Sequence, residues 1–452
     1  MNKNFSIENL GPAKIKSPIN LGTEPGDLLA DFTDNDSRIL LDVDAKKVMS
    51  YLNKGEEPPC FEQAGPRQYI YFDPSKLKAA IVTCGGICPG LNNVIRGLVM
   101  TLYHGYGVKT IYGFRNGYAG LNPEFGYSAE ELTPKSVKNI HSMGGTVLGT
   151  SRGAQDPVTM VDTLERMNVR LLFTVGGDGT FRGAIALCKE IKKRKLKIAV
   201  IGVPKTIDND IQLVDKTFGF ETSVGLAATA INAAYSEAMS VENGIGLIKL
   251  MGRHSGFIAA SAALAMRNVN LVLIPELKFD LDGEHGLIAY LNKRFDAHKS
   301  TVIVVAEGAG QRFLKQRKNT DASGNKKLGD IGIFLKDAIA QRFGGKRSYT
   351  LKYIDPSYII RSASACSSDS IFCGYLAQAA VHAGISGRTA MAVGRSHGKF
   401  THLPLEKLVD GRKTVNPEGR LWLSVLESTG QPFYMTDKPP KDLSRKSFYP
   451  LI

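Results

Sequence analysis

No run of this 452-residue sequence stays apolar for the roughly 18 residues that a membrane-spanning helix needs, because glycine or charge interrupts every one. The opening MNKNFSIENL lacks the basic region and apolar core of a secretory leader, and the ending SFYPLI is not the peroxisomal Ser-Lys-Leu signal. Cysteine is scarce. The six cysteines, at 60, 84, 88, 188, 366 and 373, include no C-x-x-C pair, which argues against a disulfide framework and against a zinc site. No G-x-x-x-x-G-K-[ST] loop occurs, and GDGTFRG has the wrong glycine spacing for a dinucleotide fingerprint, so two common nucleotide sites are excluded. No internal repeat is visible. These absences predict a soluble cytoplasmic protein with no membrane partner.

Positive charge is abundant. Lys and Arg number 57 against 43 Asp and Glu, a formal net charge of +14. Much of the excess lies in QRFLKQRKNTDASGNKKLG (311–329), which has few aromatics to stack on bases and no nucleic-acid motif. The expectation is no nucleic-acid partner, with the field steering small phosphorylated substrates. The stretch also reads as a solvated loop, and the Gly, Lys and Asn content of 309–330 suits a mobile one.

Residues 1–75 read as an N-terminal extension, with SRILLDVDAKKVMSYLNKG (37–55) predicted as an amphipathic helix. From residue 76 short Val/Ile/Leu runs alternate with amphipathic ones. KLKAAIVT, VKTIYGF, VRLLFTVG, KIAVIGVP, IGLIKLM, VNLVLIP and TVIVVAEG read as strands; LNNVIRGLVMTLYHGYG, TFRGAIALCKEIKKRKL and ETSVGLAATAINAAYSEAMS read as helices. Continuous apolar strands between helices predict an α/β fold of parallel sheets covered on both faces. Ligands of such sheets bind beyond the carboxyl ends of strands, so chemistry is sought just after each strand.

The strand ending at residue 83 runs into CGGICPGLNN, whose glycines let main chain approach a ligand before a helix opens; a plain tight turn explains it equally. The strand ending at residue 176 is followed by GGDGT. Its glycines turn N–H groups toward an anion, and Asp178 beside that anion makes sense where Mg²⁺ bridges the two; a β-turn is the other reading. After KIAVIGVP comes PKTIDNDI. Asp208 and Asp210, two apart, repel each other in an extended chain unless a cation is near or a surface turn leaves them in water. One βα unit beyond a phosphate and Mg²⁺ site, one of them is placed to act as general base toward a sugar hydroxyl. Arg253 in LMGRHSG, Glu307 in AEG, and Tyr358 with Arg361 in KYIDPSYIIRS also follow strands, positions for gripping phosphate and sugar; each alone also reads as a surface ion pair or a buried tyrosine.

In this order GGDGT, PKTIDND, MGR, AEG and YIDPSYIIR resemble the 6-phosphofructokinases over roughly residues 60 to 400. The likeness is strongest to the long-chain group with a lysine before TIDND, found among pyrophosphate-dependent enzymes and certain ATP-dependent relatives. The resemblance implies two doubly wound, mostly parallel α/β lobes with the active site in the cleft between them. A nucleotide-binding lobe would span 76–219 with a return around 362–410, a fructose 6-phosphate lobe 220–361, and a C-terminal extension 411–452. It implies Asp208 as the base for the 1-hydroxyl of fructose 6-phosphate, with Lys205 and Arg253 beside the chemistry and Thr206 and Ile207 lining the pocket. Gly86, Arg152, Gly153, Gly177, Asp178, Gly179 and Thr180 would contact the phosphoryl donor, Asp178 holding Mg²⁺. Met251, Gly252, Arg253, Glu307, Tyr358, Ile359, Ile360 and Arg361 would bind the sugar phosphate. Gly179 and Lys205 would set donor choice, and Gly179, like the ATP-dependent members, implies ATP. A homo-oligomer, dimer or tetramer, and a place in glycolysis are implied by the family alone.

The chain departs from the short bacterial enzymes. Lys205 and Tyr358 replace a glycine and a histidine, Gly244 stands where they carry an arginine, and Lys352 replaces a sugar-phosphate arginine. Other readings are a pyrophosphate-dependent enzyme, an NAD or lipid kinase sharing GGDGT, and a non-catalytic regulatory subunit. The latter two leave PKTIDND and YIIR, or the paired Asp178 and Asp208, unexplained.

Overall fold

The structure, a computed structural model, describes residues 5–24, 26–28, 30–297, 299–315 and 327–438. The centre of the basic stretch predicted as a mobile loop, residues 316–326, lies outside the described residues. The described chain divides into two compact units. The first takes in residues up to Ile207, Ile211–Gly219 and Ser362–Arg412; the second takes in Asp208–Asp210, Phe220–Arg361 and the chain from Lys413.

The first unit is built on a nine-stranded sheet. In chain order its strands are β1 (Arg38–Leu40), β2 (Cys60–Gln63), β3 (Lys78–Thr83), β4 (Thr110–Phe114), β5 (Ala129–Glu131), β6 (Leu171–Gly176), β7 (Ala199–Pro204), and two that in the whole molecule number as β12 (Met391–Ser396) and β13 (Lys399–Pro404). The spatial order is β1-β2-β13-β12-β7-β6-β3-β4-β5. The pairs from β12 through β4 are parallel and the flanking ones antiparallel. Every residue of β6 and β7 is buried, as expected of strands covered on both faces. Register places Thr83 opposite Val175, and Gly176 opposite Pro204. The loops after β3, β6 and β7 therefore leave the sheet at one level.

The second unit holds a four-stranded, all-parallel sheet: β8 (Gly244–Leu250), β9 (Leu271–Leu273), β10 (Thr301–Ala306) and β11 (Thr350–Ile354), in spatial order β9-β10-β8-β11. Leu250 lies opposite Ala306, so MGR and AEG leave side by side. Residues after Lys413 pack here: Glu276 Oε1 accepts the N–H groups of Gly256 (2.9 Å) and Val415 (2.7 Å), and the Gln431 side chain closes two hydrogen bonds with the Val272 main chain.

One local expectation fails. Residues 37–55 are not one helix but strand β1 followed by helix α1 (Ala45–Leu52). Asp44 caps α1, its carboxylate accepting the Lys46 N–H at 2.8 Å, while Arg38–Leu40 gains a ladder with β2. Pairing across the sheet outweighs helical periodicity over those first residues. The N-terminal extension is sewn to the body elsewhere too: Glu8–Asn9 pairs with Arg388–Thr389, and Ile15–Lys16 with Tyr69–Ile70.

Candidate functional site

In the first unit the loop after β3 meets two others. The Gly85 N–H donates to the Ser151 carbonyl at 3.0 Å and the Thr150 hydroxyl to the Gly85 carbonyl at 2.7 Å, which brings GTSRG against the double glycine. A Cβ on Gly86 would lie 3.5 Å from Arg152 Nη2, so Arg152 stands over that loop. Gly153 follows in the left-handed region at φ +104°. From the end of β7, Lys205 is buried and its Nζ donates to the Gly86 carbonyl at 2.7 Å. Its own N–H donates to Gly176 at 3.0 Å. The structure thus gathers Gly86, Arg152, Gly177 and Lys205.

Asp178 opens helix α2 (Asp178–Lys193), which Gly177 precedes without a side-chain cap, and the N–H groups of such a first turn point toward anions. Thr180 is buried beneath this turn, where a side chain on Gly176 would come within 2.0 Å of its hydroxyl. A Cβ on Gly179 would meet nothing within 4 Å. Asp178 pairs with Arg412, Oδ2 to Nη2, at 2.7 Å. Among the described residues no group of three or more His, Cys, Asp or Glu side chains could hold a metal. One carboxylate beside uncapped N–H groups fits Mg²⁺, which takes one or two protein carboxylates and completes its shell with phosphate oxygens and water. Thr206 is half-buried and its carbonyl accepts the Thr217 hydroxyl at 2.7 Å; Ile207 is buried.

In the second unit Asp208 Oδ2 faces the Arg253 N–H at a long 3.5 Å, and the Ser255 hydroxyl donates to the Asp208 carbonyl at 3.3 Å. Met251 is buried, and Gly252 has φ +124°, where a Cβ would strike the Ser255 carbonyl at 2.5 Å. The Glu307 N–H bonds the Leu250 carbonyl at 2.8 Å and the Gly308 N–H bonds Gly252 at 3.1 Å, locking AEG to MGR. Burial pushes the Glu307 carboxyl above its ordinary range, opposed by the positive charges of Arg253, Lys249 and Arg361. Tyr358 and Arg361 lie on one short helix, Ser357–Ser362, with the guanidinium 5.0 Å from the ring centre. Ile359 is exposed and Ile360 fully buried.

Several residues were not legible in the sequence. Lys249 is clamped by Asp330 (2.6 Å) and Asp355 (2.8 Å), which raise its pKa despite burial; a lone lysine in an apolar strand was its signal. Ser255 lies within LMGRHSG, but nothing in that stretch singled it out from Arg253. Arg412 and Lys413 lie in a stretch without periodicity. A cavity of ≈490 Å³ lined by Lys14, Tyr71, Asp73, Arg170 and Lys197 sits at the amino ends of β3, β6 and β7, the edge opposite the glycine loops, and is not this site.

Glycine turns and cations at level strand ends are the arrangement of an α/β protein that handles phosphorylated ligands. A family model described as phosphofructokinase matches residues 78–384. The ATP-dependent 6-phosphofructokinase of Borreliella burgdorferi is 47% identical over 448 residues, covering 96% of this chain and 98% of its own. The protein of that name from Amycolatopsis methanolica is 49% identical over 403 residues, 87% of this chain and 88% of its own. Among solved structures, a pyrophosphate-dependent phosphofructokinase from Marinobacter aquaeolei aligns with a TM-score of 0.64 at 18% identity, covering 80% of this chain and 93% of the other, a likeness of fold alone. The chain belongs to the phosphofructokinase family.

Proposed function

We propose that the protein is an ATP-dependent 6-phosphofructokinase, transferring the γ-phosphoryl of ATP to the 1-hydroxyl of fructose 6-phosphate to give fructose 1,6-bisphosphate and ADP in glycolysis. The observation that carries this reading is near-full-length identity to proteins of that name. In this reading the first unit takes the donor and the second the sugar phosphate. Asp208 accepts the 1-hydroxyl proton, with the Arg253 N–H facing its carboxylate. Arg253, Tyr358 and Arg361 hold the 6-phosphate, and Glu307 accepts from sugar hydroxyls. Lys205 and Arg152 face the transferring group, where positioning and cationic charge supply most of the rate. Mg²⁺, held by Asp178, would supply further charge neutralisation on the donor. In this reading the protein is a homo-oligomer, as the family resemblance implies, and the thinly spread cysteines suit a reducing cytoplasm; among the described residues no helix is long and apolar enough to cross a membrane.

Initial rates of fructose 1,6-bisphosphate formation with each donor at matched Mg²⁺ test the proposal. ATP is expected to exceed pyrophosphate in kcat/KM by at least about 100-fold, a difference of about 2.7 kcal/mol. A higher value for pyrophosphate overturns the donor, and no product with either overturns the reading.

Glu307 gives a test on the acceptor side. Because its folded pKa is raised, the ionised carboxylate that accepts sugar hydroxyls opposes folding at neutral pH and is lost as pH falls through that raised value. Glu307→Gln is expected to raise KM for fructose 6-phosphate about tenfold or more while raising the thermal midpoint at pH 7.5 by a degree or more. An unchanged KM would remove Glu307 from the sugar pocket.

A further inference from the structure

The carboxylate of Asp178 poses an electrostatic problem for its own site. It stands in the first turn of a 16-residue helix whose N–H groups attract anions, yet until a metal arrives it repels the triphosphate those groups would hold. Arg412 answers it, with Nη2 2.7 Å from Asp178 Oδ2, the arginine exposed and the aspartate part-buried. The arginine comes from beyond the stretch matched by the family model.

The segment bearing it is fixed in place. Arg182, one turn along the same helix, donates to the Val409 carbonyl at 3.3 Å. Gly411 lies so close to Gln212 that a Cβ there would come within 2.1 Å of its amide nitrogen. The next residue, Lys413, is held by its N–H on the Asp210 carbonyl (2.9 Å) and its Nζ on Asn209 Oδ1 (3.3 Å). The backbone on either side of Arg412 is thereby held, and the guanidinium sits at the far end of its side chain. That end is planar, permanently charged and suited to carboxylate or phosphate oxygens alike.

We propose that Arg412 is the resident counter-charge of the donor site. It neutralises Asp178 before the donor binds, and it turns to a phosphate oxygen of the nucleoside triphosphate once a divalent cation takes the carboxylate. No bond is made or broken; one ion pair is exchanged for another. The inference rests on the reading of Asp178 as a metal ligand and adds a positioning residue from the C-terminal part of the chain.

The test measures ATP affinity of the full-length protein by titration calorimetry without fructose 6-phosphate, once in EDTA and once in excess Mg²⁺. In EDTA, Arg412→Ala is expected to weaken ATP about tenfold or more, since the triphosphate then meets the carboxylate without this counter-charge. Adding Asp178→Asn to that variant is expected to restore at least about threefold. Arg412→Lys should stay within about threefold of the parent. A change below about twofold in Arg412→Ala overturns the proposal and leaves an ordinary surface ion pair. A tenfold loss that Asp178→Asn does not relieve also overturns it, since the arginine would then bind phosphate without shielding the carboxylate. If alanine disturbs the fold, Arg412→Gln is read by the same criteria. The underlying reading fails separately if Asp178→Asn leaves Mg²⁺-supported ATP affinity unchanged.

Discussion

Asp208→Asn is expected to lower kcat by about 10²–10⁴-fold, the usual worth of a positioned general base, with KM for fructose 6-phosphate changed by less than about threefold. Asparagine keeps the shape of the side chain and an oxygen able to face the Arg253 N–H, now 3.5 Å away. What it lacks is a site that takes up the hydroxyl proton as the phosphoryl group arrives. Asp208→Ala or Asp208→Ser should fall in the same range. The Ser255 hydroxyl holds the main-chain carbonyl of residue 208, not its carboxylate, so the turn itself is not expected to move. Steady-state rates and the binding of fructose 6-phosphate to each variant check this. A variant with near-parental kcat would remove Asp208 from the role.

Gly179→Asp is expected to lower kcat/KM for ATP by about 10²–10³-fold, the scale of a like charge placed in a water-poor site. The substitution meets no obstacle in the protein, because a Cβ at this position has nothing within 4 Å. The helical first turn favours a carboxylate there, so the thermal midpoint should be unchanged or slightly raised. A loss of activity without a loss of stability then isolates the charge. The second carboxylate beside Asp178 would repel the α-phosphate of a nucleotide, whereas pyrophosphate has no third phosphate to be excluded. Lys205 is buried with Nζ on the Gly86 carbonyl; in the proposed reading it faces the transferred group of either donor and is not expected to discriminate. Kinetics with both donors and a thermal melt of the variant check this. An unaffected Gly179→Asp would show that another residue sets the space.

The parallel strands were legible because β3, β6, β7 and β10 are covered on both faces and so are written almost entirely in apolar residues. The antiparallel margin was not. Lys399–Pro404 mixes polar and apolar residues, and its pairing with Met391–Ser396 on one side and Cys60–Gln63 on the other depends on partners far away in sequence. The same holds for Arg38–Leu40, whose local pattern favours helix until β2 is present. Within the candidate site, glycine-flanked Asp178 and the DND stretch were conspicuous because charge directly after an apolar strand demands a reason. Arg412 had no such setting. Its significance comes only from a carboxylate more than two hundred positions earlier, which no local pattern can signal.

The central sheet of the first unit also sets a timetable for synthesis. β7 ends at Pro204, but its outer neighbour β12 begins only at Met391, and all of β8 to β11 is translated in between. At about 5–20 residues per second, β7 waits on the order of 10–40 s on the ribosome with one edge open. An apolar strand left unpaired for that long is a template for wrong partners. The four-stranded sheet of the second unit, by contrast, is drawn from one continuous run of chain and can close while the first still waits. Misfolding during production should therefore originate at the edge of Ala199–Pro204, and slower growth temperatures or chaperones that shield exposed strands should raise yield more than any change within the second unit.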